Sequence, residues 1–254
     1  MNLIINKIFN KNKLKIGIDI NEILRCRWMT FDKYYVQEFG EEGIPEGNPY
    51  SYDFFKTYKF EGVSKEENFL NEELPEDIHP KYYQVDPETG KADVDSMAFR
   101  KQTINLTAVE VFNKFMYEDY LFEIHGLAPA MYKGLENDVQ KFYQKYSNFA
   151  EFIIISKENG YTIPPTLFFL SKVMFRARKI LFPQTNKELW KDIDILITTD
   201  PELLDNIPWN KKVIKADRPY NQNIKKGYIN ILQLKDLNDN KEFEKLIKYN
   251  EKRI

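Results

Sequence analysis

A chain of 254 residues with 43% hydrophobic side chains can bury one sizeable α/β core, with or without an inserted subdomain. Its 37 Lys and Arg against 39 Asp and Glu leave a formal charge of -2, which makes no electrostatic case for nucleic acid or an anionic membrane as the main partner. The single Cys26 excludes an internal disulfide and a multi-thiolate metal site, and two histidines, His79 and His125, argue against a histidine-based zinc site.

No apolar stretch approaches the roughly 20 residues of a membrane span. No small-residue cleavage site follows an apolar N-terminal run, so neither a membrane helix nor a signal peptide is expected, and a reducing cytoplasm suits the chain. Residues 1–14 carry Leu3, Ile4, Ile5, Ile8 and Phe9 at spacings that suit a short helix or an extended arm, packed on the domain edge or docked on another subunit. Lys15–Leu24 then reads as a buried strand, with β-branched Ile16, Ile18 and Ile20, running out into a loop that carries Asp19 and Asn21.

Trp28, Phe31, Tyr35 and Phe39 repeat at three and four residues, a helix that Gly40, Gly43 and Pro45 end. From Pro45 to about Arg100 the pattern weakens into a charged, aromatic-dotted stretch with Asn48-Pro49 and a turn signal at Asp86–Gly90. This stretch reads as a lid or a protein-binding surface. Helical periodicity resumes over 104–122 and over about 130–146. A continuous apolar strand, Glu151–Ile155, ends in Ser156.

Residues 166–182 read as a helix that Pro183 stops. Three more buried strands follow at 193–198, 212–216 and 228–232, and an amphipathic helix closes the chain at 242–249. Five apolar strands separated mostly by helices predict a Rossmann-like parallel sheet covered on both faces. The expected divisions are an N-terminal arm over 1–14, a core over 15–24 and 130–254, and a mainly helical cap inserted over 25–129.

Open α/β sheets place their ligand sites beyond the strand C-termini. Asp19 with Asn21, Ser156, Thr199 with Asp200, and Asp217 with Arg218 stand at four such ends. Two carboxylates there could hold Mg²⁺, a hydroxyl could hold a phosphoryl oxygen, and a lysine could neutralise charge. Lys172, Lys179, Lys187 and Lys191 are candidates for that lysine. The simpler reading of each residue is structural: Asp19 and Asp200 anchor loops, Ser156 caps the segment after its strand, and Asp217 with Arg218 shapes a turn.

In its order of motifs the chain resembles the haloacid dehalogenase-like superfamily, and within it the 5'(3')-deoxyribonucleotidase-like branch. The resemblance rests on Asp19–Leu24, Ile153–Ser156, Asp194–Asp200 and Asp217–Asn221. It implies Asp19 as nucleophile and magnesium ligand, Ser156 on the phosphate, Asp200 on the metal, and position 21 as the general acid/base. Position 21 is Asn, whose amide cannot shuttle a proton at neutral pH, and such help is worth about 10²–10⁴ in rate. The main-chain carbonyl at 21 could still bind Mg²⁺. The fourth motif, Thr199-Asp200, has one carboxylate where the family has an acidic pair.

These departures favour a non-catalytic protein over an enzyme and make no cofactor a requirement; Mg²⁺ is expected only if the site still works. The loop Asp19–Leu24, with Phe39–Gly43, is also similar to ring-forming tail components of crAss-like bacteriophages. That likeness implies a virion protein assembled in the host cytoplasm, contacting copies of itself, as in a ring, and other virion proteins, with no membrane and no direct nucleic-acid contact. The alternative is a Mg²⁺-dependent 5'-nucleotidase or related phosphohydrolase with Asp19 as nucleophile.

Overall fold

A computed structural model describes residues 13–40, 52–70, 99–158, 160–175 and 179–251. The expected arm, apart from Lys13 and Leu14, lies outside the described residues, as do Gly43, Pro45, Asn48, Pro49, His79 and the turn at 86–90. The chain divides into two compact units. One comprises the described residues up to Lys59 together with those from Phe115 onward, and the other those from Phe60 to Lys114.

The larger unit is built on a parallel sheet. Its strands are β1 (Leu14–Asp19), β4 (Ala150–Ile155), β5 (Lys179–Leu181), β6 (Ile195–Thr198), β7 (Lys212–Ala216) and β8 (Ile229–Ile231), in the order β5-β4-β1-β6-β7-β8. Every neighbouring pair is parallel. Asp19 is in register with Ile155, and Ile18 with Ile197, so β1, β4 and β6 end level with one another.

Side chains alternate across the pleat and feed two cores. On one face Ile16, Ile18, Phe152, Ile154, Ile195 and Ile197 pack with Leu135, Val139 and Phe142 of the helix Leu135–Tyr146 and with Phe169 and Phe243. On the other face Ile153, Ile155, Leu196 and Val213 meet Leu189, Trp190, Leu203 and Leu204 from two short helices. Gly17 faces this second core. A Cβ there would stand 2.6 Å from Ile193 Cδ1 and 3.2 Å from Leu196 Cδ1, so the close approach of these side chains to β1 calls for glycine.

Sheet and helices are thus as expected in class, but the sheet has six strands, not five. The sixth, β5, falls within the stretch read as helix to residue 182. The helix there runs only from Ile163 to Lys172. It ends because Met174 adopts a left-handed φ of 52°. Met174 N–H donates to Ser171 O (3.2 Å) and Phe175 N–H to Leu170 O (3.1 Å), the paired bonds of a Schellman terminus. Methionine in place of the usual glycine hides that stop in the sequence. Ile180 and Leu181 then pair with Ile154 and Ile155.

The smaller unit holds an antiparallel pair, β2 (Val63–Leu70) and β3 (Phe99–Leu106), and a helix, Ala108–Lys114. Residues 104–106 therefore extend a strand instead of opening a helix, and the stretch expected as a mainly helical cap includes a two-stranded sheet. Thr107 caps the helix: its N–H and hydroxyl both donate to Glu110, and Glu110 N–H donates back to its Oγ1. Phe60 and Phe112 meet edge to face at 5.2 Å.

Candidate functional site

The chain leaves β1 at Asp19 and turns sharply. Leu24 and Arg25 N–H both donate to Ile20 O, and Glu22 takes a left-handed φ of 59°. Asp19 is 2% exposed. One of its oxygens accepts from Thr198 Oγ1 at 2.8 Å and the other from Asn21 N–H at 3.2 Å. Burial, and next the Asp200 carboxylate, raise its pKa to about 7 against the pull of those two hydrogen bonds.

Asp200 caps the short helix Pro201–Asp205, with Oδ1 accepting from Glu202 N–H (2.8 Å) and Leu203 N–H (3.4 Å). Its Oδ2 pairs with Lys157 Nζ at 2.8 Å. Burial opposes the charged ammonium, but Asp200, Glu202 and Asp19 together raise the Lys157 pKa. Tyr52 and Tyr220 stand edge to face at 6.0 Å. Burial, then Asp19 and Asp200, hold the Tyr52 phenol well above its ordinary pKa.

Behind the loop lies a second, fully buried cluster centred on Glu158. Its carboxylate pairs with Arg25 (2.7 Å) and Arg27 (2.6 Å) and accepts from Ser156 Oγ (3.0 Å) and Asn21 Nδ2 (3.1 Å). His125 Nδ1 lies 3.2 Å away. Burial alone would raise the Glu158 pKa, but Arg25, His125 and Arg27 hold it well below the usual carboxylate range. Burial lowers the His125 pKa, against the pull of Glu158. Arg25 also donates to His125 O (2.7 Å), Thr166 Oγ1 (3.2 Å) and, through two nitrogens, Asn21 Oδ1 (3.1 and 2.6 Å).

The chain matches no protein-family model and no curated protein sequence.

Four of the residues expected at the site are therefore placed by hydrogen bonds. Asp19 and Asp200 are bridged by Thr198, whose Oγ1 donates to Asp19 and accepts from Asp200 N–H at 3.0 Å. Asn21 and Ser156 turn the other way: both side chains bind Glu158. Of the lysine candidates, Lys172 donates to the carbonyls of Leu127 and Ala128, Lys179 pairs with Asp192, and Lys187 and Lys191 line a groove beside Trp190. Asp217 pairs with Lys215 at 2.8 Å, while Arg218 donates to the carbonyls of Asp217, Leu232 and Glu22.

The lysine that pairs with Asp200 is Lys157, and it was not foreseen. Neither were Glu158, Arg25 and Arg27. Their signal is positional: charged residues stand immediately after a buried strand or its loop, where an unpaired charge could not stay buried.

Magnesium requires oxygen donors free to enter a near-octahedral shell. Both Asp200 oxygens are engaged, one by an ammonium, and both Asp19 oxygens accept hydrogen bonds. Among the described residues no group of three or more His, Cys, Asp or Glu side chains is placed to hold a metal ion. Lys157 sets a positive charge beside the Asp19–Asp200 pair.

Proposed function

We propose that the chain is a non-catalytic structural protein that keeps a haloacid dehalogenase-like architecture as a scaffold. We place it in a bacteriophage virion, as a tail or ring component contacting copies of itself and other virion proteins. The observation that carries the non-catalytic reading is the state of Asn21. It occupies the position where the resembled enzymes have their general acid, and both ends of its amide are held in a buried network by Glu158 and Arg25. A proton donor must instead reach the leaving oxygen of a substrate.

A subunit-contact role draws support from the helix Ile163–Lys172, which is apolar on its outer side as well as its inner one. Leu167 and Phe168 are exposed beside Phe122 and Leu127, and the tilted rings of Phe122 and Phe168 lie 5.0 Å apart. Contiguous exposed apolar residues suit a protein contact.

Two measurements test the reading. Incubated with Mg²⁺ and an aryl phosphate or nucleoside monophosphates, the purified chain is expected to show no turnover above background. Turnover that Asp19→Asn abolishes would end the scaffold reading and restore the phosphohydrolase. Sedimentation or mass photometry is expected to find a ring-sized assembly, formed alone or with virion proteins. A chain that stays monomeric and never enters particles would remove the virion assignment.

A further inference from the structure

The opposite edge of the sheet, where strands begin, carries a surface that the scaffold reading does not use. The helix Asn186–Lys191 leads into β6, the loop Pro208–Lys211 into β7, and Lys225–Tyr228 into β8, and these strands are consecutive neighbours. Between the first two runs a groove of about 540 Å³, walled by Trp190 and Pro208 and edged by Lys187, Lys191 and Lys211. Trp209, next to Pro208 in the chain, is 96% exposed. Further along, Tyr228 is 50% exposed, and Lys212 Nζ sits 3.9 Å above its ring.

We infer that this edge binds single-stranded nucleic acid, with a base stacked on Trp209 and phosphates met by Lys187, Lys191 and Lys212. The inference is independent of the scaffold reading and uses no residue of the Asp19 crevice. Two observations support it. A wholly exposed indole is a stacking platform open to an unpaired base. Lysines also outnumber their ion-pair partners: Lys211 pairs with Asp194 (3.5 Å) and Lys226 with Asp205 (3.4 Å), while Lys187, Lys191, Lys212 and Lys225 have no ion pair among the described residues, Lys191 being offset in part by the nearby charge of Asp192.

The alternatives fit less well. Lysine is depleted at the centres of protein–protein interfaces. A duplex hides the base faces that Trp209 would stack on. A free nucleotide would fill the groove but leave Lys212, Lys225 and Tyr228 unused, whereas a strand can run across the starts of β6, β7 and β8, spaced about 4.8 Å apart.

The test is fluorescence anisotropy of a labelled oligothymidylate titrated with the full chain at low salt. Saturable binding is expected, with a log–log salt slope near -2 if three phosphates are neutralised, at about -0.7 each. Trp209→Ala should weaken it by about 5- to 150-fold, the usual range for one stacked base. Lys187→Glu with Lys191→Glu should abolish it, and thermal unfolding should be unchanged because these side chains are exposed. No binding, or binding indifferent to Trp209→Ala, would overturn the inference. So would competition by polyglutamate, by a duplex or by thymidine monophosphate as effective as that of unlabelled oligothymidylate.

Discussion

Glu158 gathers two guanidinium groups, a hydroxyl and an amide, all buried. Its value lies in what it neutralises: without its charge, Arg25 and Arg27 would remain buried and uncompensated. Glu158→Gln is therefore expected to destabilise the fold by about 3–5 kcal/mol in urea unfolding, the range for breaking a buried pair. A loss under about 1 kcal/mol would mean that the cluster opens to water.

Asn21→Asp is expected not to restore a working acid. Its new oxygen would replace an amide that stands 3.1 Å from Glu158 Oε1, setting two carboxylates against each other. Like charges raise the pKa of such a pair, so the stability lost by this variant should be small near pH 5 and grow as pH rises. Paired thermal scans at pH 5 and pH 8 measure it.

At the scale of elements, two left-handed residues show how the same backbone state serves different ends. Met174 ends its helix with a side chain that is 50% exposed, so its cost is backbone strain with little packing in return. Met174→Gly should stabilise the fold by up to about 1 kcal/mol. Glu22 has a similar φ, but its carboxylate accepts from Arg27 N–H at 3.2 Å, and glycine there would lose that bond.

The helix Leu135–Tyr146 is held by its inner stripe, with Phe142 at 4.9 Å from the Phe152 ring and 5.8 Å from Phe243. Phe142→Ala should cost about 3–5 kcal/mol by equilibrium unfolding. The repeat at 135, 139 and 142 is a periodic signal confined to one short helix, and it was legible in the sequence; that Tyr146 and not Tyr143 completes the buried stripe was not. The end of the next helix was not, because Ile180 and Leu181 satisfy a helical pattern and a short strand equally well, and pairing with β4 decides between them.

For the whole molecule, the buried carboxylates set a pH dependence whose sign follows from their shifts. Asp19 and Glu22 are raised from 3.8 and 4.5 to about 7, chiefly by burial, so the stability linked to them is full below pH 4 and is lost as pH rises through 7. Glu158 is shifted the other way; its contribution is present above pH 4.5 and is lost as acid protonates it. For these three groups maximum stability is expected at about pH 4, where the gain through Glu158 ends and the loss through Asp19 and Glu22 begins. Asp19→Asn should flatten the decline between pH 5 and pH 8, and a profile identical to that of the unaltered chain would show that Asp19 is not buried as described.

Read alone, the sequence determined the α/β class and the strands β1, β4, β6, β7 and β8, because β-branched runs and helical periodicity are local signals carried by adjacent residues. What the tertiary structure decided is who meets whom. Asn21 binds Glu158 across 137 residues, Lys157 rather than any helix lysine reaches Asp200, and lysines spread over three segments gather at one sheet edge in a chain whose overall charge is only -2. Those pairings depend on strand order and register, which set the distances between charges far apart in sequence and leave no local pattern to read.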